Sequence, residues 1–437
     1  MPLGLHPNCQ TQLHASLVEQ LAHASVRHGM FLAPSSSLYL FLSQATLPQT
    51  GKLHARLQKL VGDAPLVDFV NGVLARELYE GQKFQTEEGP VLLSALPMYS
   101  DLPALADRLV ASFESLPWQY TLTVQLPSSF SEVFCSHIKN IELTDTVSIR
   151  CGDDVLAETY PLVSGQEKRD QAIAGGGLAA LLIPSQPSWK ADLAYLQVRV
   201  EGFFGKYAQT EPLVEAIGIV RAFYGLALAL RLFKPGSSYQ PYPHREKVYI
   251  HRRIEERWIV EEVHELESRH SEAIRDLALH DLDGNLDDDA KRAHWMRLKL
   301  DSIGTVFRAD ERAKSITLGA QWLLDSHCGN DELLQFVQAA VVVEILLGDK
   351  ASSDLTGLGE LLANRCAYLI ASTHTQRNEI LQDFRNIYQV RSKIVHRGKS
   401  RLALGESTLF NKLRWMCRRI IQEEVELLEK DSARKDA

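Results

Sequence analysis

Long uninterrupted apolar runs are missing from this chain. No stretch of about 18 or more apolar residues occurs. The nearest, GLALALRLF from Gly225 to Phe233, carries Arg231 and reads as the end of a buried helix, so a membrane span is not expected. The opening MPLGLHPNCQTQLHASLVEQ has no charged region followed by an unbroken apolar one. It does not look like a secretory signal, and the cytoplasm is the expected compartment. Cysteine is sparse, and Cys9, Cys135, Cys151, Cys328, Cys366 and Cys417 form no CxxC or CxxH pair. Such scatter suggests neither a zinc module nor a disulfide framework, and reduced thiols that fill space are expected. Net positive charge is lacking too. At -8 overall the protein is poorly suited to coat nucleic acid non-specifically, because phosphate affinity comes from clustered Lys and Arg. A local basic site stays open.

Other signatures are absent or incomplete. No internal repeat of fixed period occurs, and neither G-x-S-x-G nor H-E-x-x-H is present. HDLDGNLDDD, His280 to Asp289, places Asp281, Asp283 and Asn285 at alternate positions. Its glycine is Gly284 rather than the sixth loop residue, and no Glu fills the twelfth position, so an acidic turn between helices is expected rather than a calcium loop. AIAGGGLAALL, Ala172 to Leu182, lacks both GK[ST] and G-x-G-x-x-G and reads as a flexible loop. No metal or other cofactor is expected. His251, His264, His270 and His280 fall in a charged stretch that reads as helical, and are expected at the surface.

What is present is 437 residues with 45% hydrophobic and 23% charged side chains, the composition of a globular protein of two or three domains. YTLTVQLP (Tyr120 to Pro127), IELTDTVSIRC (Ile141 to Cys151) and AYLQVRVEG (Ala194 to Gly202) alternate or are β-rich, and read as strands. LPALADRLVASFESL (Leu102 to Leu116) has helical spacing. TEPLVEAIGIVRAFYGLALALRLFKPG reads as a long buried helix with Thr210 as N-cap, Pro212 in its first turn and Pro235-Gly236 after its end. Residues 1–236 are thus expected to form an α+β sensor or binding domain. KPGSSYQPYPHR, Lys234 to Arg245, is the best linker candidate. Residues 237–312 are read as linker and charged connecting helices, and residues 313–432 as an all-α bundle. Within the bundle four helices are expected from Ser315 onward, and a fifth at TLFNKLRWMCRRIIQEEVELLEK.

One segment of that bundle breaks its own pattern. In EILQDFRNIYQVRSKIV the stripes Leu381, Phe384, Tyr388, 391, Val395 and Ile380, Phe384, Ile387, 391, Ile394 both pass through Arg391. A guanidinium on an apolar face must be paired, open to a cleft, or at an interface, since burying it alone costs several kcal/mol. Glu344, the lone charge in QAAVVVEILLG, is the natural partner. His396 follows by five residues, about 140° around an unbroken helix. A helix end near Gly398 or a second copy of the chain would be needed to bring the two together. From Arg385 to Arg419 ten Lys or Arg stand against the single acid Glu406. That is a focused positive site suited to a polyphosphate, with Lys393, Arg397, Lys399 and Arg401 as candidate RNA-binding residues.

Y-x-x-R-S-x-I-V-H near the end of one helix, N-R-C-A-Y-L-I on the helix before it, and V-V-V-E-I-L-L before that resemble the Apea-like branch of the HEPN superfamily. The resemblance covers roughly Ser315 to Lys430. Tyr388, Arg391, Ser392, Val395 and His396 match its Arg-x4-6-His signature; Arg397 stands before Gly398 where the family usually has Gly directly after His. The resemblance implies an all-α bundle that dimerises to bring two motifs into one cleft. It further implies metal-independent endoribonuclease activity, often in toxins or in antiviral (phage) defence. His396 would then be the general acid/base and Arg391 the ligand of the scissile phosphate, with Ser392 and Tyr388 as auxiliary groups and Glu344 orienting the arginine. RNA and a second copy of the chain are the implied partners, with an unknown trigger or regulator acting through the N-terminal domain.

The residue types suit that chemistry. When a ribose 2'-OH attacks its own phosphate, a proton must leave the 2'-oxygen, charge must be stabilised on phosphorus, and the departing 5'-oxygen must be protonated. Histidine ordinarily titrates near neutrality, and such proton transfer contributes about 10²- to 10⁴-fold. A bidentate Arg stabilises the phosphorane. Two other outcomes remain open: a catalytically inactive HEPN module that binds RNA or nucleotide or only dimerises, and a helical scaffold in which Arg391 to Glu344 is purely structural.

Overall fold

The computed structural model describes residues 2–27, 31–33, 51–81, 90–162, 188–205, 210–236, 245–280, 288–309, 311–348 and 357–435. The glycine-rich stretch, most of the expected linker and most of the acidic turn lie outside these residues. The described chain divides into two compact units, Met1–Tyr120 with Arg199–Ile217, and Thr121–Val198 with Gly218–Ala437.

The first unit contains α1 (Pro7–Leu21), the short strands β1 (Ser25–Arg27), β2 (Phe31–Ala33) and β3 (Val91–Leu92), and helices α2 (Lys52–Leu60), α3 (Pro65–Gly81) and α4 (Leu102–Glu114). The strands form a sheet in the order β2-β1-β3. Leu13, Leu17 and Leu21 recur every fourth residue and bury one face of α1. Phe69 on α3 stands at the centre of an aromatic cluster, with ring centroids 5.1 Å from Phe113, 5.7 Å from Trp118 and 4.8 Å from Phe203. α4 starts where the sequence indicates, because Asp101 caps it by accepting a hydrogen bond from the Ala104 amide at 3.0 Å.

The expected strands lie wholly or mostly in the second unit. β4 (Trp118–Gln125), α5 (Ser128–His137), the hairpin β5 (Asn140–Glu142) and β6 (Val147–Cys151), α6 (Asp154–Thr159) and β7 (Ala194–Gly202) come first. Next are α7 (Glu211–Ala229) and β8 (Phe233–Pro235). α7 stops at Ala229, short of the expected Pro235-Gly236, because Arg231 turns the chain at φ 64 and β8 then pairs with β11 (Leu277–Leu279). α7 is the one helix among the described residues long and apolar enough to cross a membrane, and 72% of its apolar window is buried inside the protein.

The first part of the charged stretch, Lys247 to Glu265, is not helical. It forms the antiparallel hairpin β9 (Lys247–Ile254) and β10 (Arg257–Glu265), followed by the short helix α8 (Ser268–Arg275). The hairpin completes a six-stranded antiparallel sheet in the order β10-β9-β4-β7-β6-β5. Its turn, Glu255-Glu256, lacks the Asn-Gly or Asp-Gly that announces a two-residue hairpin, and Glu255 itself takes φ 52. Glu and Arg, good helix formers, hid the period of two seen in buried Val248 and Ile250. His251 and His270, expected at the surface, are 0% and 4% exposed, whereas His264 and His280 are half-buried. His251 donates from Nε2 to the Pro161 carbonyl at 3.0 Å, among the rings of Tyr160 and Trp189. Cys135 and Cys151 form a disulfide across α5 and β6, which corrects the expectation of reduced thiols for that pair. Packing of a helix on a strand joined them, with no local spacing to signal it.

The helices of residues 289–435 are α9 (Asp289–Arg308), α10 (Glu311–Asp325), α11 (Glu332–Leu347), α12 (Leu358–Ile370), α13 (His374–Arg397) and α14 (Leu404–Lys435). The four helices and the fifth expected from Ser315 correspond to α10 through α14, and α9 precedes them. α11 is apolar on most sides, burying Phe336, Ala339, Ala340, Val342, Val343 and Leu347, which is how a central helix reads. α7 approaches α10 so closely that a Cβ on Gly225 would overlap the Ala320 carbonyl.

Two outcomes are expected. Gly225→Ala forces backbone apart and should lower unfolding stability by about 2–3 kcal/mol, read from the urea midpoint. Burial pushes His251 from 6.5 down to about 4. The unfolded chain therefore takes up a proton below about 6.5 that the folded chain refuses until about 4, so stability falls as pH drops through that window. In urea titrations across pH 7 to 4, His251→Gln should show a shallower decline than the wild type.

Candidate functional site

α13 is set by its ends. Thr373 caps its start, accepting from the Gln376 amide at 3.2 Å, and Gly398 closes it in the left-handed region at φ 61, a conformation glycine adopts without strain. Ile380, Phe384, Ile387 and Val390 form its buried stripe. Beyond Val390 that stripe leaves the core: Arg391 and Ile394 are half-buried, while Val395, His396 and Arg397 are exposed. Arg391 therefore lies at the rim of the apolar face and not at its centre.

Glu344, projecting from α11, holds the rim together. Its Oε1 accepts from the Tyr388 hydroxyl at 3.2 Å and its Oε2 from Arg391 Nη2 at 3.4 Å, with Arg391 Nε 3.2 Å from Oε1. The Nε contact is an ion pair without hydrogen-bond alignment, since Nε has no hydrogen-bond partner. The Arg391 guanidinium also lies 5.9 Å from the Tyr388 ring centroid. Side-chain exposures of 23% for Arg391 and 22% for Glu344 make this pair half-dry, with donors on the arginine still open to solvent. Burial, reinforced by the Glu344 carboxylate, pushes the Tyr388 hydroxyl up to about 12, so it remains a donor at physiological pH. A Cβ on Gly359 of α12 would lie 2.9 Å from the Tyr388 ring, so a glycine there gives the tyrosine its room.

His396 is on the last turn of the same unbroken helix. The expected break before it does not occur, because the αL residue is Gly398 and the helix runs through Arg397. His396 and Arg391 accordingly face about 140° apart within one chain. Among the described residues no hydrogen bond or ion pair joins them, and Ser392, also exposed, is hydrogen-bonded to neither.

The positive segment is largely neutralised, mostly by acids that lie outside it. Arg385 pairs with Glu360 at 2.6 Å, Lys412 with Asp383 at 2.7 Å, Lys399 with Glu406 at 2.9 Å, and Arg419 with Glu423. Arg414 is drawn inward against the Phe410 ring, 4.1 Å away, and donates to the Ser326 carbonyl; burial lowers it to about 10. Burial lowers Arg418 as well. Of the expected RNA-binding residues, Lys393, Arg397 and Arg401 are exposed and form no ion pair among the described residues, although the Lys393 charge helps to hold the Glu406 carboxyl low, while Lys399 is tied directly to Glu406. The counted excess of ten cations over one acid thus reduces to a small open cluster beside His396.

Charge patterning gave no sign of a second constellation. Asp325 at the end of α10 binds Arg221 of α7 through one oxygen and His270 Nε2 of α8, 2.8 Å away, through the other. Burial would raise the Asp325 carboxyl, but the His270 hydrogen bond and the Arg221 charge hold it below the ordinary range. Cys328 Sγ completes a group of three possible ligands with Asp325 and His270. The chemistry does not suit a cation: Arg221 already occupies one oxygen, Arg269 adds positive charge, and burial pushes the Cys328 thiol up to about 12. A buried ion cluster that fastens α7 and α8 to α10 is the better description. The sequence concealed it because the stretch holding His270 reads as an exposed helix.

Arg391→Ala and Glu344→Gln should each lower stability by about 1–2 kcal/mol, between the values for exposed and buried pairs. His396→Ala should change it by less than about 0.5 kcal/mol. Urea unfolding of the three variants tests this; a large loss in His396→Ala would contradict its exposed placement.

Family models, curated proteins and solved structures were each compared with this chain, and none matches.

Proposed function

We propose that this chain is a metal-independent endoribonuclease that cleaves single-stranded RNA as a dimer through the end of α13, acting as a regulated effector in antiviral (phage) defence or a toxin-like system. The observation that carries the reading is the arginine clamp: Glu344 and Tyr388 fix Arg391 at the rim of the core while leaving donors open, one and a half turns before an exposed histidine. Fixing a guanidinium in advance is what phosphorane stabilisation requires.

In the proposed reaction an imidazole of His396 removes the 2'-OH proton. The 2'-oxygen then attacks phosphorus, Arg391 neutralises the charge that develops on the non-bridging oxygens, and a protonated imidazole delivers a proton to the leaving 5'-oxygen. The products are a 2',3'-cyclic phosphate and a free 5'-hydroxyl. Lys393, Arg397 and Arg401 hold the flanking phosphates. Two copies of the chain supply the acid and the base, and the 140° separation of Arg391 and His396 makes a second copy necessary to complete one cleft. Val395, 47% exposed, and Leu404, 88% exposed, flank the basic cluster in sequence and offer apolar surface for that contact.

The same separation favours a second reading, a module that binds RNA through the cluster and does not cut. Incubating a mixed RNA pool with purified protein in EDTA, wild type beside His396→Ala, separates them. Cleavage leaving 2',3'-cyclic ends, lost at least 100-fold in the variant, is the expected result. Retained RNA binding with no cleavage by either protein, together with equal growth of cells expressing each, would move the assignment to the binding module.

A further inference from the structure

A cavity of about 460 Å³, within the size range of small-molecule sites, opens on the helical bundle, and none of Glu344, Tyr388 and Arg391 lines it. Leu346 and Leu347 from α11 and Leu369 from α12 give it an apolar wall, and Tyr368, Arg377 and Glu424 also line it. Two of these residues are left as an uncommitted pair. Tyr368 is 83% exposed and has no ring partner among the described residues. Arg377, on the first turn of α13, has neither a carboxylate nor a carbonyl partner for its guanidinium among the described residues. Neighbouring arginines are engaged: Arg365, in the same lining, donates to the Leu347 carbonyl at 2.7 Å, and Arg385 is bound to Glu360. An open aromatic ring, an apolar wall and an unengaged guanidinium together suit a flat aromatic group carrying an anion, the make-up of a nucleotide.

We propose that this cavity binds one nucleotide, with its base against Tyr368 and the leucine wall and its phosphate on Arg377. Arg377 precedes Arg391 by fourteen residues on one continuous helix, which sets the two arginines about 21 Å apart and within roughly 40° of the same side. The cavity is therefore a separate site, and its occupancy does not depend on whether the end of α13 cuts RNA. The nucleotide is either free or one unit of a strand that continues toward Arg391.

Equilibrium titration of the full-length chain in EDTA, in a His396→Ala background that removes the proposed cleavage, tests this. The probes are the four ribonucleoside 5'-monophosphates, inorganic phosphate, and a hexanucleotide RNA carrying the fluorescent base 2-aminopurine. The expected result is that Tyr368→Ala and Arg377→Ala each weaken binding at least tenfold, that Tyr368→Phe stays within about twofold, and that phosphate alone does not compete. Losses seen with the monophosphates identify a free nucleotide as ligand; losses seen only with the hexanucleotide identify a strand unit. Both support the site. No detectable binding of any probe, or binding that neither alanine variant alters by more than twofold, overturns it. Both side chains are exposed, and unchanged urea midpoints for the variants would exclude misfolding as the cause of a loss.

Discussion

A single carboxylate within the apolar C-terminal stretch of α11 organises the packing of α13. Glu344 cannot remain alone in the half-dry gap between α11 and α13, and the groups that satisfy it, the Tyr388 hydroxyl and the Arg391 guanidinium, come from adjacent turns of α13. The register of α13 against α11 follows from that demand. Shifting α13 by one residue would turn both partners by about 100° and strand the acid. The rest of the neighbourhood accommodates this fixed point: Gly359 leaves room for the tyrosine ring, and Gly398 ends the helix only after the histidine has been presented to solvent.

Charge is used in two opposite ways along the bundle. Most of the cations between Arg385 and Arg419 serve cohesion, reaching acids on neighbouring helices or lying against rings and carbonyls. The few left over gather where the apolar stripe of α13 has run out. A focused field near a helix end thus survives in a protein whose overall charge is negative, because the neutralised cations no longer contribute to it at a distance. Side chains that are held and side chains that are left open differ by what packs opposite them, which a count of residues does not contain.

This explains which parts were legible in advance. Strands β4, β6 and β7 and helices α10 to α14 declare themselves by period, and the pairing of Glu344 with Arg391 follows from each being the lone charge in an apolar pattern. The β9 and β10 hairpin does not declare itself, since its residues are helix formers and its turn is Glu255-Glu256. Misreading that segment carried His251 and His270 to the surface with it. Cys135 with Cys151, and Asp325 with Arg221 and His270, meet only through tertiary packing, so no local spacing could signal them. The net effect of the basic segment was overestimated for a related reason: its counter-charges, Glu360, Asp383 and Glu423, lie outside the interval over which it was counted.

The buried cluster around Asp325 also bears on how the chain assembles. Asp325 meets Arg221 across 104 residues and His270 across 55, whereas α10 with α11, and α12 with α13, are joined by short connections. Closing long loops costs chain entropy before any contact rewards it, and a carboxylate keeps its hydration until its counter-ions arrive. Helix pairs linked by a few residues have no such delay. The cluster therefore favours an order of events in which local helix pairing comes first, and the ion cluster closes last, locking the elements before α9 onto a bundle that has already formed.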